Sequence, residues 1–185
     1  MFRVELEKAS LPKLEALFKA LSDPSAPKWM AAGVLGGATT GDADVPGHKG
    51  SVSVAQYARW NEFGTSRIPP RPFLRTALAK YGKEWAGAVL GTFREKLRNA
   101  SAEGGDIPRL ALMAAGRLAG PDIVRTIKDA EGWAVPNAPA YARWKAKYRD
   151  DGISRPLFLT GTLSKSIQYQ LEASDGSVVW REESR

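Results

Sequence analysis

Residues 61–75 read Asn61-Glu62-Phe63-Gly64-Thr65-Ser66-Arg67-Ile68-Pro69-Pro70-Arg71-Pro72-Phe73-Leu74-Arg75. A possible helix ends at Phe63, and Gly64 allows the backbone to turn because glycine has no Cβ. The prolines that follow restrict the backbone until a second helix begins at Phe73. The segment therefore predicts a corner of fixed geometry, which we call the first corner.

The most regular pattern in the chain begins at the end of the first corner. Apolar residues recur three or four positions apart, at Leu74, Leu78, Tyr81, Trp85, Val89, Phe93 and Leu97. This spacing predicts a long amphipathic helix. Another helix is expected from Pro108, which is tolerated in a first turn, with apolar residues Leu110, Leu112, Met113 and Leu118. Pro121 then either kinks this helix or starts a new one, and Ile123, Val124 and Ile127 continue the apolar stripe to about Ala130.

The chain before the first corner predicts a helix, a strand and a second helix. Helical spacing after Ser10 is carried by Leu14, Leu17, Phe18 and Leu21. Residues 28–36 are apolar on both faces and predict a buried strand. Residues 36–50 are rich in glycine and predict a flexible loop. Residues 53–63 predict a helix with a capping box of Ser53 and Gln56, or alternatively a strand over 51–55 followed by a short helix.

The C-terminal part predicts a short helix and a hairpin. A basic helix is expected after residue 139 and runs through Trp144 to Tyr148. Asp175-Gly176 separates residues 166–172 from 177–181, which is a two-residue hairpin signal. The sheet is therefore expected to close with a C-terminal β-hairpin.

A second rigid segment lies at residues 135–139. We give the name second corner to Pro136, Asn137 and Pro139, together with Thr160 and Gly161 of a later turn. Rigid segments lose little conformational entropy when they associate with a partner. Two such corners suit an assembly protein better than a catalyst.

Composition limits the possible functions. The chain has 185 residues, of which 43% are apolar, and this predicts a single domain over residues 1–185. It has no cysteine, which excludes thiolate catalysis and Cys-based metal sites, and His48 is the only histidine. No segment is apolar over enough residues to predict a membrane span. The formal charge of +7 permits contact with nucleic acid or another polyanion.

Glu62 is the one carboxylate that suggests chemistry. With Arg67 and Arg71 it could form a catalytic acid beside phosphate-binding arginines. The simpler interpretation is that Glu62 pairs with an arginine and fixes the corner, because no second acid or metal ligand lies beside it. No nucleotide-binding fingerprint occurs. We therefore predict no catalytic, metal-binding or cofactor-binding residues.

Three blocks of sequence carry a resemblance to a known family. Residues 58–75 read ARWNEFGTSRIPPRPFLR, residues 133–139 read WAVPNAP, and residues 156–167 read PLFLTGTLSKSI. In this order they resemble the small neck or tail-completion proteins of tailed bacteriophages, which include virion-morphogenesis proteins of lambda-like and Mu-like phages. Residues 1–27 and the tail at 181–185 fall outside this pattern.

The resemblance implies a fold, a set of partners and a location. The fold would be α+β, with a small, mostly antiparallel sheet packed by a long amphipathic helix and further helices. Subunits would form a ring, typically six-fold, at the head–tail junction of the virion, after assembly in the host cytoplasm. The expected partners are further copies of the chain, other neck, tail-terminator or tail-tube proteins, and viral DNA that passes through the lumen without sequence recognition. No membrane is implied.

The same resemblance assigns roles to the first corner. In the family, the matching blocks build the turn into the long helix. Structural or subunit-interface roles would therefore belong to Glu62, Phe63, Gly64, Thr65, Arg67, Pro70, Arg71, Pro72 and Phe73.

The expected function is that of a non-enzymatic structural protein of the head–tail connector. A tail terminator at the same junction is one alternative. A DNA-binding protein is an alternative from another class, and a virion-borne enzyme that uses Glu62 is a third.

Overall fold

A computed structural model describes residues 11–35, 52–99, 106–149, 154–158 and 160–182. Its helices and strands are α1 (Leu11–Ser22), β1 (Trp29–Val34), α2 (Val54–Phe63), α3 (Phe73–Arg98), α4 (Ile107–Lys128), α5 (Pro139–Arg149), α6 (Thr162–Lys165), β2 (Ile167–Glu172) and β3 (Val178–Arg181). The fold is α+β, as predicted, with an antiparallel sheet, a long helix packed on it and C-terminal strands. The predicted loop at 36–50 lies outside the described residues.

The sheet has the strand order β1-β2-β3 in the described residues. The predicted C-terminal hairpin is confirmed, since β2 and β3 are antiparallel and Leu171 lies opposite Trp180. Its connection is longer than predicted. The amide of Ala173 donates to the carbonyl of Ser177 at 2.9 Å, so three residues form the loop, and Gly176 adopts a φ of 82°.

Strand β1 forms where a strand was predicted, but the prediction that it is buried is wrong. Gly33 is its one buried residue, and Trp29 at its start is exposed. The apolar composition of both faces predicted burial on both sides. An exposed tryptophan shows instead that the start of the strand is open to solvent.

Helix α2 begins at Val54, so the alternative strand through residue 55 is wrong. Ser53 occupies the N-cap position, but its side chain makes no capping hydrogen bond. The predicted capping box with Gln56 is therefore also wrong. Ser53 is exposed, so solvent can satisfy the free amides of the first turn.

Helix α3 confirms the long amphipathic helix and spans 26 residues. Tyr81 and Trp85 are buried as its spacing predicts, but Leu78 is 58% exposed. Phe73 and Ala77 complete the buried face instead. The buried face therefore repeats every four residues from the start of the helix.

Helix α4 buries Ile123 and Ile127 as predicted, but before Pro121 it buries a different face from the one predicted. Leu118 is exposed, and the buried stripe consists of Ile107, Ala111, Ala115, Ala119, Ile123 and Ile127. Gly116, beside this stripe, lets Tyr169 of β2 approach the helix closely. A Cβ on Gly116 would lie 2.1 Å from Cδ2 of Tyr169, which leaves no room for a side chain there.

Helix α4 also continues through Pro121, so the predicted new start is wrong. The proline ring normally clashes with the Cβ of the preceding residue in a helix. That residue is Gly120, which has no Cβ.

None of the helices in the described part of the chain is long and apolar enough to cross a membrane.

The contacts divide the chain into two compact units. One comprises the described parts of Met1–Ala31, Lys83–Leu118 and Tyr169–Arg185, and the other those of Ala32–Gly82 and Ala119–Gln168. Both corners belong to the second unit. The single domain over residues 1–185 stays a prediction.

Candidate functional site

Glu62 caps the N-terminus of α3. It is 3% exposed, and its carboxylate accepts hydrogen bonds from the amides of Leu74 at 2.9 Å and Arg75 at 3.2 Å. These amides lie in the first turn of α3, where no intrahelical acceptor exists. A negative charge at this end of a helix also interacts favourably with the helix dipole. Glu62 thus joins the end of α2 to the start of α3.

Arg75 balances the charge of Glu62. Its Nε lies 3.0 Å from Oε1 of Glu62, and its Nη2 donates to the Glu62 carbonyl at 2.8 Å. Its guanidinium also lies 5.2 Å from the centroid of the Phe63 ring. Glu62 therefore pairs with an arginine, as the simpler interpretation held. The partner is Arg75, and neither Arg67 nor Arg71 is paired with it.

The turn after α2 is closed by its own hydrogen bonds. Gly64 has a φ of 78°, and the amide of Thr65 donates to the carbonyl of Ile68 at 2.8 Å. The Thr65 hydroxyl accepts from the amides of Arg67 at 3.2 Å and Ile68 at 3.0 Å. A Cβ on Gly64 would lie 3.0 Å from the Ile68 carbonyl oxygen and from Pro70. The corner therefore requires glycine at this position.

Arg71 joins the first corner to residues 135–137. Its amide donates to the Asn61 carbonyl at 2.6 Å. Its Nε donates to the Val135 carbonyl at 2.7 Å, and its Nη2 donates to the Pro136 carbonyl at 3.1 Å and to Oδ1 of Asn137 at 3.2 Å. The side chain is 6% exposed, and burial lowers its pKa. The guanidinium still stays charged at neutral pH.

The second corner is only partly one structure. Asn137 donates from Nδ2 to the Ser154 carbonyl at 2.8 Å, and Pro139 begins α5. Thr160 and Gly161 instead precede α6, where Gly161 has a φ of 82° and the Thr160 and Thr162 hydroxyls are 2.7 Å apart. The structure thus ties Pro136 and Asn137 to Arg71 and places Thr160 and Gly161 at a separate helix start.

We give the name Arg71 link to the hydrogen bonds between the Arg71 side chain and residues 135–137. A cleft of about 240 Å³ lies beside it. It is lined by residues of α2, both corners and α5, including Tyr57, Arg67, Arg71, Asn137, Tyr141, Lys145 and Leu157. Two of these residues are arginines, which carry a positive charge, and Lys145 is a third basic residue. The described residues that line the cleft include no aspartate or glutamate. The arrangement can therefore attract an anion.

Lys145 is a residue of the cleft that sequence reasoning missed. It is 2% exposed, donates to the Arg155 carbonyl and has its Nζ 5.9 Å from the Tyr141 ring centroid. A lysine on a short basic helix is normally solvated, so composition gave no signal. The one available signal was its position four residues after Tyr141, which places both side chains on one helical face.

The described residues contain no cluster of three or more His, Cys, Asp or Glu side chains that could hold a metal ion. His48 lies outside the described residues. Comparison of the chain with protein-family models, with curated proteins and with solved structures gave no match.

Proposed function

We propose that the chain is a structural protein of a tailed-phage head–tail connector, in a neck or tail-completion ring that joins the tail to the head. The observation that carries this proposal is the link between Arg71 and residues 135–137. These residues belong to two of the three blocks in which the chain resembles that family. Blocks that are distant in sequence thus meet in one braced structure.

The polar groups of the first corner support a structural role. Glu62 uses both carboxylate oxygens to cap α3 and to pair with Arg75. To act as a catalytic base, this carboxylate would have to give up the cap. The Arg71 side chain is similarly committed to backbone carbonyls. Such a network fixes the angle between α2 and α3 and presents a preformed surface.

Exposed residues of the first corner are suited to contact a neighbouring subunit. Phe63 is 66% exposed, and Thr65 and Pro70 of the same corner are also exposed. Aromatic residues are enriched at protein interfaces. Glu62, Arg71 and Phe73 are buried and would set the geometry of the contact. The excess positive charge would face acidic neighbours or the DNA in the lumen.

Size-exclusion chromatography with light scattering, followed by negative-stain imaging, tests the proposal. We expect the purified chain to form rings alone or with neck and tail-tube proteins. Phe63→Ser should weaken assembly, whereas Leu90→Ser, which changes a similarly exposed residue of α3, should not. A chain that stays monomeric with every partner would contradict the proposal. Tracing the chain in an image of the virion neck would show which ring of the neck it forms.

A further inference from the structure

We propose that the cleft beside the Arg71 link binds an acidic side chain of a partner protein, carried on a peptide segment with apolar neighbours. We call this cleft the carboxylate cleft.

The charge of the carboxylate cleft determines the class of ligand. Arg67, Arg71 and Lys145 line it, and none of its described lining residues is acidic. Lys145 already donates to the Arg155 carbonyl, and Arg67 is exposed. A concave site with partly apolar walls limits the access of water. Its positive charges therefore attract an anion more strongly than they would on an open surface.

Arg71 offers the most specific contact. Its Nε and Nη2 donate to Val135, Pro136 and Asn137, but its Nη1 donates to no residue that the structure describes. The side chain is more than nine-tenths buried and still lines the cleft. A guanidinium that is already fixed loses little entropy when it binds a carboxylate. Nη1 is therefore a preorganised donor for an incoming anion.

The size and walls of the cleft favour a peptide over a nucleic acid. Its volume of about 240 Å³ suits one or two side chains. Leu157, Ile68 and Pro69 supply apolar wall, and Tyr57 and Tyr141 add aromatic rings. Duplex DNA would need an open row of cations to follow its closely spaced phosphates. An acidic residue next to an apolar one satisfies both the cations and the apolar walls.

Fluorescence polarisation with the full chain tests this proposal. The probe is a labelled peptide, acetylated and amidated at its ends, with Leu-Glu-Leu at its centre, and the matched control peptide carries Leu-Gln-Leu. We expect the glutamate peptide to bind at least about tenfold more tightly, since charge-assisted hydrogen bonds are the stronger ones. Equal binding of the two peptides, or no saturable binding up to about 1 mM, would overturn the proposal.

Variants with matched controls place the binding in the cleft. Arg67→Glu and Ala138→Glu should each lower the affinity for the glutamate peptide by about tenfold or more, because each adds a competing carboxylate to the lining of the cleft. Arg59→Glu and Ala140→Glu change exposed residues of α2 and α5 that do not line the cleft, and binding should be retained. These substitutions spare Arg71 and the buried network.

The pattern of losses decides the result. Equal losses in the cleft and control variants would show that only net charge matters, and would overturn the site. A short DNA duplex that binds through Arg67 and is not displaced by the glutamate peptide would overturn it in favour of nucleic acid.

Discussion

The Nε of Arg71 donates a hydrogen bond to the carbonyl oxygen of Val135 at 2.7 Å, across 64 residues of sequence. This bond and the two from Nη2 hold the first corner against residues that lie between α4 and α5. The planar guanidinium can reach several acceptors at once, which a lysine ammonium cannot do in the same geometry. The link therefore depends on arginine itself as well as on positive charge.

Arg71→Lys should lower the free energy of unfolding by about 3 kcal/mol, because the buried Arg71 side chain loses its charge-assisted hydrogen bonds to Val135, Pro136 and Asn137. Urea denaturation monitored by tryptophan fluorescence measures the change. Arg59→Lys, an exposed substitution on α2, should stay within about 0.5 kcal/mol of the unchanged protein. If both variants unfold at the same urea concentration, the Arg71 link does not stabilise the fold.

Glu62→Gln should destabilise the protein by about 1 to 2 kcal/mol, because the amide keeps one acceptor oxygen and loses the other and the charge. The capped amides of Leu74 and Arg75 need both oxygens. Urea denaturation measures the loss, and Glu84→Gln on the exposed side of α3 is the control. A Glu62→Gln protein as stable as the Glu84→Gln protein would show that the cap contributes little.

Gly116→Ala should destabilise the protein by about 2 kcal/mol although alanine favours helices. The added Cβ would lie 2.1 Å from the ring of Tyr169, which is buried and lies 5.2 Å from Trp180 between ring centroids. Gly87→Ala on α3 meets nothing within 4 Å and should gain up to about 1 kcal/mol. Thermal melts of both variants measure the difference, and a Gly116→Ala protein that melts higher would contradict the close approach.

Local signals predicted the elements of this fold because their causes are local. Gly176 allows the hairpin turn, and Pro108 is tolerated in the first turn of α4. The buried face of α4 before Pro121 was missed because alanines such as Ala111 and Ala115 fill it, and hydrophobic spacing gives more weight to leucine. How deeply a helix face is buried depends on the element that packs on it, and the periodicity of the sequence contains no information about that element.

The site was predicted less completely than the fold. The residues of both corners were identified, but their meeting through Arg71 was not, since it joins positions far apart in sequence. Lys145 was missed because burial of a lysine is decided by a distant acceptor, here the Arg155 carbonyl. Contacts of this kind arise from tertiary structure, so a local pattern such as the four-residue spacing of Tyr141 and Lys145 indicates a shared helical face but not its burial.

Asp175 should make the hairpin sensitive to acid. Hydrogen bonds from the hydroxyl and then the amide of Ser177 hold the pKa of its carboxyl below the ordinary value. The ionised Asp175 carboxylate therefore stabilises the folded protein at neutral pH. This stabilisation is lost as the pH falls through the lowered pKa of the folded protein. NMR titration of Asp175 measures that pKa, and Asp175→Asn should remove this part of the pH dependence. A pKa at or above the ordinary value would contradict the turn geometry.

Gly64→Ala should impair stability and ring assembly more than Gly176→Ala does. Both glycines have a φ near 80°, where a side chain is strained, and Gly64 also has a ψ of 175°, a combination that essentially only glycine adopts. The added Cβ at Gly64 also meets the Ile68 carbonyl and Pro70 at 3.0 Å, whereas at Gly176 it meets nothing within 4 Å. Urea denaturation and light scattering measure the two effects. Any loss in the Gly64 variant beyond that of the hairpin variant reports the backbone conformation and the close contacts of the first corner. Equal losses would show that this close contact has no part in assembly.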